Sequence, residues 1–217
     1  MIGQFSHKKT FGALTACLLV AALVIGAIAQ QQTAWDKCDQ IDHEPRIHPD
    51  YSGVMLPANI APLNFLIQED AVEYRVVIGS KQGRPIELRG KSAEIAIPTG
   101  KWRGLLDENR SEQLHVDVFA KSKDGNWRHF QRISNTIASE DIDRYIVYRR
   151  IHPSHVMWSR MGVYQRDLSG FEESVVLDNG HFQAGCVNCH TFCNNRTDKM
   201  FIHIRSSQYG SSAVLVE

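Results

Sequence analysis

Hydrophobic and polar positions fall into three regimes along the chain. Residues 11–29 are an uncharged run of 19, dominated by Ala, Leu, Val and Ile. That run predicts an apolar helix close to the roughly 20 residues a bilayer span needs. In the next stretch Pro45, Pro49, Pro57 and Pro62 interrupt any period. Residues 30–62 are therefore expected to form an extended leader that packs on something else. From Phe65 onward the dominant period is two, the signature of strands with one face buried.

The strand signals are local and repeated. Residues 73–78 are β-branched and stop at Gly79, and residues 93–98 alternate around Ile95 and Ile97. Residues 114–119 alternate cleanly, placing Leu114, Val116 and Val118 on one face. Lys123-Asp124-Gly125-Asn126 supplies a hairpin turn into Trp127 and Phe130. This spacing predicts an antiparallel β-sandwich over residues 63–137, with the Trp and Phe side chains in its core. Beyond it, residues 139–143 read as a turn or short helix. Residues 144–151, 161–168 and 174–177 read as further strands, and Asp178-Asn179-Gly180 as a turn. The expected fold is mainly β, and residues 138–217 form a separate C-terminal segment.

Composition narrows the classes. The chain has 217 residues, 43% hydrophobic and 22% charged, with 24 basic against 24 acidic residues. That balance excludes disorder, collagen-like and coiled-coil chains. His7, Lys8 and Lys9 precede the apolar run, and Ala27-Ile28-Ala29 matches a signal-peptidase site. A cleaved signal and a retained anchor through residues 11–29 both stand open. Leu14-Thr15-Ala16-Cys17 resembles a lipoprotein box, but the residues after Cys17 stay apolar where a lipoprotein turns polar. Each route exports the remainder, and a periplasmic location is expected, with an inner-membrane tether if the anchor is kept. Without residues 1–29 the chain carries 22 basic and 24 acidic residues, a charge of −2. No broad basic footprint remains for nucleic acid.

After Gly180 the composition changes: the next 26 residues hold three Cys and three His. Cys186-Val187-Asn188-Cys189-His190 is a complete C-x-x-C-H, which chance would produce roughly 0.005 times in such a chain. Two thiols one helical turn apart suit thioether bonds to the two vinyl groups of a haem. His190, next to them, suits the proximal iron site. Covalent haem c is thus the expected cofactor, and thioethers would keep it bound outside the cytoplasm. Three rivals remain. Cys186, Cys189 and Cys193 with His190 or His203 have a spacing that permits zinc. A redox-active dithiol would need a thioredoxin-like α/β fold, which the strands do not favour. The third rival is a plain disulfide.

The second axial position has several candidates: His203, then Met200, then His181, or no protein ligand. If residues 199–205 are a strand, Met200, Ile202 and Ile204 share one face, and Phe201, His203 and Arg205 the other. His203 then sits with an aromatic and a cation, a face suited to a haem edge and its propionates. If the segment is a helix, Met200 and His203 share a face at i, i+3. Cys38 and Cys193 are left over and can pair in an oxidising compartment; the alternative is a free buried Cys. Hydrolase and nucleotide motifs are absent, and Asp141, Asp143, Glu172 and Glu173 read as turn and surface residues. A single haem without an acid–base set implies electron carriage rather than turnover, with a redox protein as partner. The alternative is an exported interaction protein whose Cys/His cluster is structural.

Several separated motifs occur in one order. They are residues 48–54 (His-Pro-Asp-Tyr-Ser-Gly-Val), 57–65, 145–151, 161–168, Gly185 to Phe192 around C-x-x-C-H, and 200–205 (Met-Phe-Ile-His-Ile-Arg). Together they resemble exported proteins of Bacteroidetes and Planctomycetes-type bacteria that join a cytochrome-c-type motif to a Tol-associated (PD40-like) β-propeller. The resemblance covers residues 48–217. It implies a β-sandwich followed by the first part of a propeller, with the haem motif between strands. Family members continue through further blades, whereas this sequence stops at Glu217. Either the chain is a fragment, or a partner supplies the missing part.

Overall fold

The computed structural model describes residues 38–151, 161–196, 198–208 and 210–217. The expected apolar helix at 11–29, with its cleavage or anchor sites, lies outside the described residues. What is described is mainly β, with one α-helix and no closed barrel. Among the described residues no helix is long and apolar enough to cross a membrane.

The first part of the chain, here called the body, holds β1 (Asp39–Gln40), β2 (Ile47–His48), β3 (Met55–Leu56), β4 (Phe65–Ile67), β5 (Glu73–Gly79), β6 (Ile86–Gly90) and β7 (Glu94–Ile95). The helix α1 (Thr99–Glu108) follows, then β8 (Gln113–Lys121), β9 (Trp127–His129) and β10 (Ile133–Ile137). β8 is the hub of the large sheet. It pairs antiparallel with β5 on one side, and β6 continues outward from β5. Its other side is shared: β10 takes residues 113–116 and β9 takes residues 119–121. Two short strands from residues 38–62 pack here, since β3 adds in parallel to β10 and β1 to β9.

Alternation decides which face is buried. Tyr74, Val76 and Ile78 of β5 and Leu114, Val116 and Val118 of β8 all turn inward. A three-stranded sheet, β2-β4-β7, covers that face with Ile47, Phe65, Ile67 and Ile95. The helix adds Trp102, Leu105 and Leu106, which share one stripe at i, i+3, i+4. Trp102 also donates its indole N–H to the Ile60 carbonyl at 3.0 Å, which fixes the leader over the helix.

The C-terminal part, here called the head, contains two antiparallel sheets of three strands. The first is β11 (Tyr145–Arg150), β12 (Gly162–Asp167) and β13 (Glu173–Asp178), in that order. A 3-10 turn (Asn179–Phe182) leads to the second: β14 (Cys186–Phe192), β15 (Met200–Ser206) and β16 (Gly210–Val216). Val187, Met200, Ile202 and Ile204 of the second sheet pack with Val163, Val147 and Leu177 of the first. The head joins the body through two hydrogen bonds between Asn59 and Ile142 and through Ala61 N–H to the Leu168 carbonyl at 2.7 Å.

Candidate functional site

The C-x-x-C-H motif lies on strand β14, whereas the spacing predicted a helical turn. The reason is tertiary. β14 pairs with β15 before and after residues 188–189, and that ladder takes up the backbone groups facing β15. Gly185 makes the approach feasible, because a Cβ there would stand 2.5 Å from the Arg205 carbonyl oxygen and 2.8 Å from that of Phe182. Asn179, itself buried, donates its side-chain amide to the Gly185 carbonyl at 3.1 Å and pins the start of the strand.

The pairing is not regular. Val187 stands opposite Ile204 and His190 opposite Ile202, so Asn188 and Cys189 together face the single residue His203. This is a β-bulge, and it changes which side each motif residue takes. Directly paired residues on neighbouring antiparallel strands point to the same face. Cys186 pairs with Arg205 and lies on the outer face of the sheet; Val187 pairs with the buried Ile204 and lies on the inner face. His190 pairs with Ile202, also inner, so Cys189 just before it is outer, and it is exposed. Without the extra residue, Cys186 and Cys189 would point to opposite sides. With it, both thiols share the outer face and His190 takes the inner one. There His190 meets Phe192 edge-on, with ring centroids 6.2 Å apart.

The other candidates divide in the same way. β15 is a strand, so Met200, Ile202 and Ile204 are buried on the inner face. Phe201, His203 and Arg205 are on the outer face with the thiols. His203 Nε2 lies 2.9 Å from Ser211 Oγ. His181 is exposed on the 3-10 turn before the motif. Cys193 opens the turn after β14 and is exposed, Cys38 is buried in the body, and no disulfide joins the two. Among the described residues, no three His, Cys, Asp or Glu side chains gather closely enough to hold a metal ion. The predicted zinc set of Cys186, Cys189, Cys193 and His190 or His203 is therefore not assembled.

A covalent haem finds a partial fit. Its chemistry calls for two accessible thiols on one side, and Cys186 and Cys189 meet that requirement. It also calls for an imidazole on the same side, and His190 on this strand does not meet it. Beside the motif, an open cleft of about 660 Å³ is lined by Tyr145, Ile146, Val147 and Phe192. The two arginines lining that cleft are already engaged, Arg144 with Asp167 and Arg196 with Asp198. Sequence alternation alone found the outer-face trio of β15. It missed the bulge and the Ser211 contact, because neither is visible without the strand register.

No family model and no curated protein matches this chain. Among solved structures it resembles one described as "Structural insight into host cell surface retention of a 1.5-MDa bacterial ice-binding adhesin". Identity is 11% and the TM-score is 0.29; the match covers 81% of this chain and 64% of that one. This chain thus spans less than two thirds of that structure, and a likeness at this level carries no argument about fold or function.

Proposed function

We propose that the chain is an exported protein that holds one haem covalently on its C-terminal sheet and carries electrons. The observation behind this reading is the bulge in β14, which turns both thiols of the C-x-x-C-H motif to one open face. Attachment there is balanced chemistry. Each S–H adds across one vinyl C=C, sulfur bonding to one carbon and hydrogen to the other. Nothing leaves, and neither oxidant nor reductant is consumed. Once bound, the iron supplies one-electron redox chemistry, and the protein supplies position and access. On this reading the body is a β-sandwich and the head contains the first blades of a propeller. Residues 1–29 export or tether the chain, the location is periplasmic, and the partner is a redox protein rather than nucleic acid. Haem staining of a denaturing gel, with a pyridine haemochrome spectrum of periplasmically expressed protein, tests it. Stain that survives denaturation supports the proposal; an unstained band in a host with active haem attachment defeats it.

A second reading has its own observation. Val214, Leu215 and Val216 of the edge strand β16 are exposed, and they present apolar groups on both faces. Val175 and Val176 do the same on β13. Edge strands normally carry charge, Pro or a bulge that blocks further pairing, whereas residues 210–216 carry no charge and no Pro. Strands apolar on both sides are the kind that lie covered on both sides. On this reading the head is an interaction module, completed by a partner that adds strands to it, and its Cys/His residues are structural. Light scattering after size exclusion tests this: association should rise with concentration and fall in Leu215→Lys. A monomer at every concentration, with no partner captured from the periplasm, counts against it.

A further inference from the structure

We propose that the open edge of β11 is a docking groove for an extended segment of a partner polypeptide, which adds to its three-stranded sheet as one more antiparallel strand. This edge is distinct from β13 and β16, and the inference rests on neither reading above. Backbone geometry is the starting point. The Leu168 N–H donates to the Arg144 carbonyl at 2.7 Å, in the same register that pairs Tyr145 with Asp167 and Ile146 with Arg166. An antiparallel ladder alternates, so Arg144, Ile146 and Tyr148 turn their N–H and C=O groups toward β12, while Tyr145 and Val147 turn theirs the other way. β11 ends its sheet, and among the described residues nothing pairs with the outward N–H and C=O groups of Tyr145 and Val147.

Those residues line the open cleft of about 660 Å³, one wall of which is the unbroken run 143–147. Donor–acceptor pairs at i and i+2 repeat at the spacing of a strand, and an added strand is what completes them. Side chains set what that strand carries. Directly paired residues of an antiparallel ladder share a face, so guest residues opposite Tyr145 and Val147 point where those two point. Val147 and Phe192 pack on the same core cluster, and both line the cleft. Apolar residues at alternate guest positions therefore meet an apolar wall. Charge fixes one end. Arg144 and Arg196 on the rim are already paired with Asp167 and Asp198, whereas Asp143 is exposed and has no ion pair among the described residues. Asp143 precedes β11, so it faces the part of an antiparallel guest that lies C-terminal to the apolar pair. A Lys or Arg fits there.

The probe is a synthetic peptide, Thr-Thr-Val-Thr-Val-Thr-Lys, blocked at its C-terminus and carrying a fluorophore at its N-terminus. Binding to the full chain is read by fluorescence anisotropy, and folding by circular dichroism. N-methylation of the two Val residues removes the N–H groups aimed at β11 and should weaken binding about tenfold. N-methylation of the Thr between them touches only the far edge and should leave binding unchanged. Val147→Pro deletes an N–H that faces the groove and none that β12 uses, so it too should weaken binding about tenfold. Exchanging the terminal Lys for Glu should weaken binding about threefold, and Asp143→Lys should reverse that preference. Equal binding of the two methylated peptides overturns the proposal, whether or not Val147→Pro folds. A parent peptide that does not bind also overturns it. If the chain instead forms a dimer that Val147→Pro dissociates, a second copy fills the groove and the partner assigned here is wrong.

Discussion

Asn59 and Ile142 hold each other by two hydrogen bonds across 83 residues of sequence. The Asn59 side-chain amide donates to the Ile142 carbonyl at 2.8 Å, and its Oδ1 accepts the Ile142 N–H at 3.0 Å. This pair fastens the leader to the segment where the head begins. Asn59→Ala leaves a part-buried backbone donor and acceptor without partners, a loss of about 1–2 kcal/mol. Local opening around residues 138–144 should become roughly tenfold more frequent. Limited proteolysis should show cleavage there rising by that factor, while the body's urea midpoint moves little. Equal protection in both proteins would mean the pair does not hold the junction.

Asn109 ends helix α1 from a fully buried position. Its amide donates to the carbonyls of Leu105 at 2.9 Å and Gln82 at 3.0 Å, and its Oδ1 accepts the Gln82 N–H at 2.8 Å. Every polar atom of this side chain is thus satisfied inside the protein, as burial demands. Asn109→Leu keeps the branching but is larger, makes none of these bonds, and strands three backbone groups. A destabilisation of about 2–4 kcal/mol is expected, read as a lower urea midpoint with an unchanged m-value. A shift under 1 kcal/mol would show that the site relaxes or admits water.

The body was legible wherever one face of a strand is buried and the other wet. Residues 73–78 and 114–119 announce β5 and β8 because burial alternates there with period two. Residues 200–205 announce β15 for the same reason. Helix α1 was not expected. Its signal, Trp102, Leu105 and Leu106 on one stripe, is diluted by Gly100 and Gly104, which weaken helix propensity. The motif was found by its spacing, but its conformation was misjudged. Which way Cys189 and His190 point depends on a one-residue offset against β15, and offsets between strands leave no mark in local sequence. For that reason the two thiols share a face only in the folded sheet.

Asp167 makes the start of the head sensitive to acid. Arg144 binds its Oδ2 through Nε at 3.1 Å and Nη2 at 2.7 Å, and Ser169 binds its Oδ1 through the backbone N–H at 2.9 Å and Oγ at 2.7 Å. The Arg144 hydrogen bonds, followed by those of Ser169, hold the carboxyl well below its ordinary value of 3.8. The folded pKa lies below the unfolded one. The contribution is therefore complete above the ordinary value and is lost as pH falls through the folded one. The unfolding midpoint should begin to drop as pH falls below about 5 and keep dropping through about pH 3 toward the folded value. Asp167→Asn should be less stable at pH 6 and lose less on acidification. An unchanged acid response in the variant would remove Asp167 as a source of the effect.

Gly185 governs whether the motif can sit on its strand. An added methyl would meet the carbonyl oxygens of Arg205 and Phe182 and the Cβ of Ser206, at 2.5, 2.8 and 2.8 Å. Two of these are backbone atoms, which cannot swing aside as a side chain can. Gly185→Ala must therefore push the start of β14 away from β15, with overpacking worth about 1–3 kcal/mol. Cys186 is half-buried in the present register and Cys189 is exposed, so their alkylation rates should differ in the reduced, haem-free protein. In Gly185→Ala the Cys186 rate should rise toward that of Cys189. Gly170 is the control: its added Cβ meets nothing within 4 Å, so Gly170→Ala should change neither rate. If Cys186 reacts alike in all three proteins, close packing at residue 185 does not set the exposure of the motif.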